Sequence, residues 1–100
     1  MLDNAITTMP GVVEDITQTI GNTPLIRLSK FAARQNLNAT LLAKVEFFNP
    51  AGSIKDRPAM AMLNALMTSS AFNEKTEIIE ASSGNNGVAC AWLCAIHGIK

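Results

Sequence analysis

A single lysine stands where a glycine turn meets the start of a predicted helix. Lys55 follows the turn at 49–52 and directly precedes an apolar run with helical spacing. Helices usually carry cations at their other end, because the helix dipole places partial positive charge at the N-terminus. This position therefore indicates a positioned amine that loses its charge readily, and burial would act in the same direction. Such an amine can condense with an aldehyde to form an imine.

A second loop has the same strand–loop–helix setting and is typical of an anion site. It reads Ser82-Ser83-Gly84-Asn85-Asn86-Gly87. Hydroxyls and backbone N–H groups at a helix start bind carboxylates well, and glycines permit a close approach. Taken alone, each loop also has an ordinary interpretation, as a solvated lysine beside Asp56 and as a serine-capped connection. No Gly-Lys-Ser/Thr follows either loop, so neither is the phosphate loop of nucleotide enzymes.

Strand-like and helix-like segments alternate along the chain and would position both loops. Strands are predicted at 23–28, 40–47 and 76–81, and helices at 29–35, from 53 or 56 to about 68, and at 86–97. Ser29 is a candidate cap of the first helix, and Gly98 ends the third. The alternation predicts an α/β fold with right-handed crossovers and a parallel sheet.

The start of the second helix has two interpretations. Ser53 and Asp56 have capping-box spacing, which favours a start at Ser53. Pro58 disfavours helical geometry at Arg57, and it would lie safely in the first turn of a helix that begins at Asp56. We expect Asp56 and Arg57 to be a helix-start acid and half of a structural ion pair.

Composition narrows the class of protein. Hydrophobic residues make up 48% of the chain and charged residues 16%, which is typical of a buried α/β core and not of disorder. The formal net charge is zero and the cations are scattered, so we expect neither nucleic acid nor membrane as a partner. Residues 1–15 are predicted to be a loose leader without targeting features, which indicates a cytoplasmic protein.

The two cysteines and the histidine form one candidate cluster. Cys90, Cys94 and His97 share a face of the third predicted helix and could be drawn as metal ligands. The helix is apolar all round, and buried free cysteines are common, so we expect structural thiols and no metal. Helix geometry does not favour a disulfide between Cys90 and Cys94.

Three blocks of residues, in order, carry a family likeness. They are Ile20-Gly21-Asn22-Thr23-Pro24-Leu25-Ile26-Arg27-Leu28, Lys44-Val45-Glu46 through Arg57-Pro58-Ala59, and Ile79-Glu80-Ala81-Ser82-Ser83-Gly84-Asn85-Asn86-Gly87. Together they resemble the cysteine synthase/cystathionine β-synthase family of pyridoxal-phosphate (PLP) enzymes, the fold type II group. The resemblance implies an α/β, parallel-sheet fragment of a tryptophan synthase β-like enzyme. Residues 16–100 would be the truncated N-terminal part of its catalytic domain.

The resemblance implies a role for each site residue. Lys55 would be the Schiff-base lysine that holds the aldehyde carbon of pyridoxal 5'-phosphate, and Asn85 would hydrogen-bond the ring hydroxyl. The substrate carboxylate would be gripped by Ser82, Ser83, Gly84 and Asn86.

The second loop differs from the family's usual sequence at two positions, and these bear on which substrate is expected. The family usually reads Thr-Ser-Gly-Asn-Thr in this loop, whereas Ser82 stands first here and Asn86 last. Ser82 keeps a hydroxyl, but Asn86 brings an amide to the substrate, which leaves the substrate open. Related dehydratases typically read Ser-Phe-Lys-x-Arg-Gly-Ala and Ser-x-Gly-Asn-His, so the synthase branch fits better.

The implied reaction is β-replacement on an activated serine through an aminoacrylate, with the freed Lys55 amine as the base. Cysteine synthesis from O-acetylserine or O-phosphoserine is favoured, and a 2,3-diaminopropionate-pathway synthase with a nitrogen nucleophile is the alternative. A homodimeric parent enzyme acting on a small amino acid is implied. A catalytically silent fragment is a further alternative, because the family's phosphate loop and ring-nitrogen partner are expected beyond Lys100.

Overall fold

The structure is a computed structural model that describes residues 11–100. The predicted leader at 1–15 therefore lies largely outside the described residues. Two short strands and three helices follow in the order β1 (Leu25–Arg27), α1 (Ser29–Arg34), β2 (Leu42–Lys44), α2 (Asp56–Met67) and α3 (Asn85–His97). Two 3-10 helices, Ile16–Thr19 and Glu46–Phe48, precede β1 and follow β2. No helix in residues 11–100 is long and apolar enough to cross a membrane.

The two strands run antiparallel, so the prediction of a parallel sheet is wrong for this pair. Ile26 lies opposite Ala43 in the register. Helix α1 has only six residues, and Asn36, in the left-handed region with φ 51°, turns the chain back after it. The Leu28 N–H then donates to the Leu41 carbonyl at 2.9 Å, which closes the return.

The predicted third strand does not form within the described part of the chain. Residues 76–81 have no regular secondary structure, although the Ile78 N–H donates to the Lys100 carbonyl at 2.8 Å. A strand is stabilised by a ladder of such bonds, and one bond does not make a ladder. The predicted strand residue Ile79 is 94% exposed.

The helix boundaries agree closely with the sequence predictions. Helix α2 begins at Asp56, which confirms the start favoured by Pro58 and makes the capping-box start at Ser53 wrong. Gly98 has φ 65° and ends α3 in the left-handed conformation, as expected. Ser29 is not a cap, because Leu28 occupies that position and α1 has no side-chain cap bond.

The core lies between α2 and α3. Its buried residues are Ala59, Leu63, Ala89, Leu93 and Cys94. The two alanines leave room for the helices to approach closely, and the two leucines supply most of the buried apolar surface. Trp92 is partly buried and packs against this cluster.

Truncation of the central leucine should be costly. Leu93 is fully buried, so Leu93→Ala should lose about 2–5 kcal/mol of unfolding free energy through the cavity it leaves. Urea denaturation followed by circular dichroism measures this loss. Ile96→Ala on the same helix is the matched control, because Ile96 is 43% exposed and should cost far less. Equal losses in the two variants would contradict this description of the core.

Candidate active site

Lys55 occupies the N-terminal boundary of α2, as the sequence predicts. It is the N-cap residue, with φ −71° and ψ −17°, and its side chain is exposed. The burial expected for the amine is therefore not provided by residues 11–100. Among these residues its Nζ has neither a hydrogen-bond nor an ion-pair partner. The amine is thus available to an incoming carbonyl.

The loop before Lys55 is organised by a buried asparagine. Asn49 is 3% exposed, and its Oδ1 accepts from the Gly21 N–H at 2.8 Å. Its Nδ2 lies 2.9 Å from the Glu46 carbonyl, 2.9 Å from Glu46 Oε2 and 3.0 Å from the Ser53 carbonyl. One side chain therefore joins the segment before β1, the segment after β2 and the loop that leads to Lys55.

Asp56 holds the same loop from the helix side. It is fully buried, and its Oδ2 accepts from the Ala51 N–H at 2.6 Å. Within the described residues its Oδ1 is buried without a partner. The prediction of a structural helix-start acid is confirmed, and the carboxylate tethers the loop to α2.

An ion pair joins α2 to the segment after β2. Arg57 Nη1 lies 2.6 Å from Glu46 Oε2, and Arg57 Nη2 donates to Thr23 Oγ1 at 3.2 Å. The hydrogen bond from Arg57, supported by one from Asn49, lowers the pKa of Glu46 below its ordinary value of 4.5. The predicted structural ion pair of Arg57 is confirmed, with Glu46 as its partner.

The second loop leads directly into α3. Gly84 is the N-cap residue, and no side-chain hydrogen bond caps the helix. The Gly84 N–H donates to Ser82 Oγ at 3.2 Å, whereas the N–H groups of Asn85, Asn86 and Gly87 have no acceptor in residues 11–100. Unsatisfied N–H groups at a helix start favour an anion. Ser83, Gly84 and Asn85 are exposed, so a ligand can reach them.

The predicted site residues fall on two neighbouring helix starts. Ser82 through Asn86 are continuous, while Lys55 lies on α2. No hydrogen bond joins Lys55 to the second loop among the described residues. The link is the shared core: Ala59 lies one turn after Lys55, Ala89 lies one turn after Asn85, and both belong to the same cluster.

The remaining candidates have no role in this arrangement. Cys90 is half-buried and Cys94 buried, and both are free thiols. Burial raises the pKa of both thiols, and the nearby Glu80 carboxylate adds to the rise at Cys90. No group of three or more His, Cys, Asp or Glu side chains in residues 11–100 is arranged to hold a metal ion.

The interior residues of the first loop are the ones that sequence reasoning missed. The sequence predicts only a turn at Asn49, and it indicates Glu46 only as part of a family motif. The signal at Asn49 was its Asn-Pro turn, which gives no hint of a partner 28 residues away at Gly21.

The α/β architecture and the two helix-start loops together define a fold type II enzyme scaffold. Residues 16–100 match the family described as pyridoxal-phosphate dependent enzyme, and the chain belongs to this family. The predicted cofactor is therefore the family's own. The exposed amine of Lys55 and the donor-rich start of α3 fit a molecule that carries an aldehyde and is joined by a carboxylate-bearing substrate.

Curated relatives share this region at high identity. Cysteine synthase B of Campylobacter jejuni is 44% identical over 89% of this chain and 28% of that protein. The N-(2-amino-2-carboxyethyl)-L-glutamate synthase of Cupriavidus metallidurans is 40% identical over 89% of this chain and 26% of that protein. The chain therefore spans about a quarter of the length of these relatives.

Solved structures confirm the fold type II prediction. A cysteine synthase from Entamoeba histolytica aligns with a TM-score of 0.83 at 32% identity, covering 89% of this chain and 27% of that structure. An O-ureido-L-serine synthase aligns with a TM-score of 0.79 at 35% identity, again over 89% of this chain and 27% of that structure.

The ion pair predicts an acid-dependent loss of stability. Because folding lowers the pKa of Glu46, its contribution is fully present above 4.5 and is lost as the pH falls through the lowered value. Glu46→Gln should therefore unfold at a lower temperature than the wild-type chain at pH 7. This difference should shrink below pH 4.5, as thermal melts across pH will measure. The exposed Glu74→Gln is the control, and a constant difference across pH would contradict the assignment.

Two glycines in the second loop should respond differently to alanine. A Cβ at Gly87 would lie 3.2 Å from the Ser82 carbonyl oxygen, whereas a Cβ at Gly84 would meet nothing within 4 Å. Gly87→Ala should therefore shift the Ser82 and Ser83 amide resonances in an NMR spectrum while the chain stays folded. Gly84→Ala is the matched control and should perturb Ser82 less. The opposite order would contradict the described packing of this loop.

Proposed function

We propose that the chain carries the lysine and the carboxylate loop of an enzyme that performs PLP-dependent β-replacement on an activated serine. The single observation that supports this most is the pairing of two features on helices that pack together. The Lys55 amine is exposed and has no partner in residues 11–100, and the start of α3 has no side-chain cap in the same residues. One group is suited to a carbonyl carbon and the other to a carboxylate.

Lys55 would perform two steps. Its amine would first hold the cofactor's aldehyde carbon covalently, and later, when the substrate's amine displaces it, would take the proton from the substrate's α-carbon. The bound cofactor supplies an electron sink for the pair left on that carbon. Loss of the leaving group from the β-carbon and bonding of the nucleophile there would complete the replacement once Lys55 returned the proton to the α-carbon.

The second loop would orient the substrate for this proton transfer. The free N–H groups at the start of α3, with the hydroxyls of Ser82 and Ser83, would bind the substrate's carboxylate. Asn85 would donate to the cofactor's ring hydroxyl. Asn86 would bring an amide where the family usually has a hydroxyl, and so would tune the choice of substrate.

Cysteine synthesis, with O-acetylserine or O-phosphoserine as the donor, is the favoured reaction. The 44% identity to a cysteine synthase B supports it. A nitrogen nucleophile is the second candidate, supported by the 40% identity to N-(2-amino-2-carboxyethyl)-L-glutamate synthase. Two free thiols fit a reducing, cytoplasmic setting, and we propose a homodimer for the full-length enzyme.

Cofactor capture by Lys55 tests the proposal directly. Wild-type protein mixed with PLP should gain the absorbance of a lysine imine, and borohydride reduction should leave the added mass on Lys55. Lys55→Ala should lose both signals, because no other residue offers the amine at this helix start. The exposed Lys75→Ala is the matched control and should retain them.

Two outcomes would count against the enzyme. Trapping in Lys55→Ala equal to that in the wild type would contradict the role of Lys55. No signal at saturating PLP would favour a catalytically silent fragment. Product analysis with sulfide or with an amino-acid amine, each offered with both serine donors, would separate the two candidate reactions.

A further inference from the structure

We propose that Asn49 and Asp56 are positioning residues that set the direction in which the Lys55 amine leaves the helix start. This inference rests on the proposed function, since it concerns the amine that must meet the cofactor's carbonyl carbon. Neither residue is assigned contact with the cofactor or the substrate. Both would act through the backbone of the loop at 49–55.

The amide of Asn49 is hydrogen-bonded through both its oxygen and its nitrogen. A primary amide has one acceptor oxygen and two donor hydrogens. The oxygen binds the Gly21 N–H, and the nitrogen faces three oxygens, namely the Glu46 carbonyl, Glu46 Oε2 and the Ser53 carbonyl. Aspartate would keep the acceptor but would present a second oxygen to those three. Alanine would remove the acceptor of the Gly21 N–H and the side-chain donor shared by the Glu46 and Ser53 oxygens.

A short chain of bonds leads from Asn49 to Lys55. The Asn49 side chain holds the Ser53 carbonyl, and Ser53 Oγ accepts from the Lys55 N–H at 3.1 Å. The Gly52 N–H donates to the Asn49 carbonyl at 2.7 Å, and Gly52 has φ 80°, which glycine adopts without strain. The backbone on the N-terminal side of the amine is thus held at Gly52, Ser53 and Lys55.

Asp56 secures the loop from the opposite side. Its Oδ2 binds the Ala51 N–H at 2.6 Å, and the side chain is fully buried. A buried carboxylate whose second oxygen has no partner in residues 11–100 costs folding free energy, so stabilisation alone explains it poorly. Its hydrogen bond instead restrains the turn from which Lys55 emerges. Asn49 and Asp56 together restrain the six residues between them.

The rate of cofactor trapping at Lys55 is the first test, measured by borohydride reduction and mass spectrometry from pH 6 to pH 9. Asn49→Asp, Asn49→Ala and Asp56→Ala should each slow trapping by roughly 10- to 100-fold, since a misplacement of about 1 Å can cost roughly 100-fold. Ser53→Ala removes one bond and should slow trapping by about fivefold, the factor that one ordinary hydrogen bond represents.

Two controls separate positioning from loss of stability. Asn64→Asp makes the same chemical change on the exposed face of α2 and should leave the trapping rate within about twofold of the wild type. Leu63→Ala removes a buried core side chain that takes no part in the hydrogen bonds of Asn49 and Asp56. It therefore lowers stability without removing any of those bonds. The unfolding temperatures of Leu63→Ala and Asn49→Ala are measured alongside their trapping rates. If the two variants have the same unfolding temperature and slow trapping equally, the proposal is overturned.

Amide hydrogen exchange tests, without any cofactor, whether Asn49 and Asp56 restrain the loop at 49–55. The Ala51 and Lys55 amides should be protected in the wild-type chain and should exchange at least about tenfold faster in Asn49→Ala, while amides in α3 are unchanged. The milder Ser53→Ala should affect Lys55 only. Unchanged exchange in both variants overturns the proposal. If the wild-type chain traps no PLP but these amides respond as expected, the proposed function fails, and the restraint of the loop by Asn49 and Asp56 is supported.

Discussion

The packing of α2 against α3 is the constraint on which the rest of the structure depends. Ala59 and Ala89 allow the two helices to approach, and Leu63 and Leu93 fill the space between them. Each helix begins at a loop that carries groups able to bind a ligand. The start of α2 carries an amine, and the start of α3 carries N–H groups that have no acceptor in residues 11–100. Because a helix is rigid over a single turn, a shared core one turn further along holds the two starts in a fixed relation.

The polar network at the first loop adds what apolar packing cannot supply. Apolar contacts are non-directional, so they bring segments together without setting the orientation of the backbone. The amide of Asn49, the carboxylate of Asp56 and the ion pair of Arg57 with Glu46 are directional. Asn49 reaches Gly21, Arg57 reaches Glu46, and Asp56 reaches the opposite end of the loop at Ala51. The side chain of Lys55 is exposed but begins from a hydrogen-bonded backbone.

Much of this arrangement was predictable from sequence because its signals are local. The start of α2 at Asp56 follows from the fixed geometry of Pro58, and the end of α3 follows from the left-handed preference of Gly98. The family likeness rests on contiguous motifs and is confirmed over residues 16–100. The roles assigned to Lys55, Asn85 and the serines stay predictions, because no ligand contact is described for them.

The sequence alone determined the order of the three helices and the first two strands, and the chemical character of the two loops. Each of these depends on residues within about one turn of one another. Only the tertiary structure decided three other features. They are the antiparallel pairing of β1 with β2, the absence of a paired third strand in the described residues, and the bonds of Asn49 to Gly21 and Glu46. These features join segments far apart in the chain, and hydrogen-bonding groups carry no local mark of which distant partner they will meet.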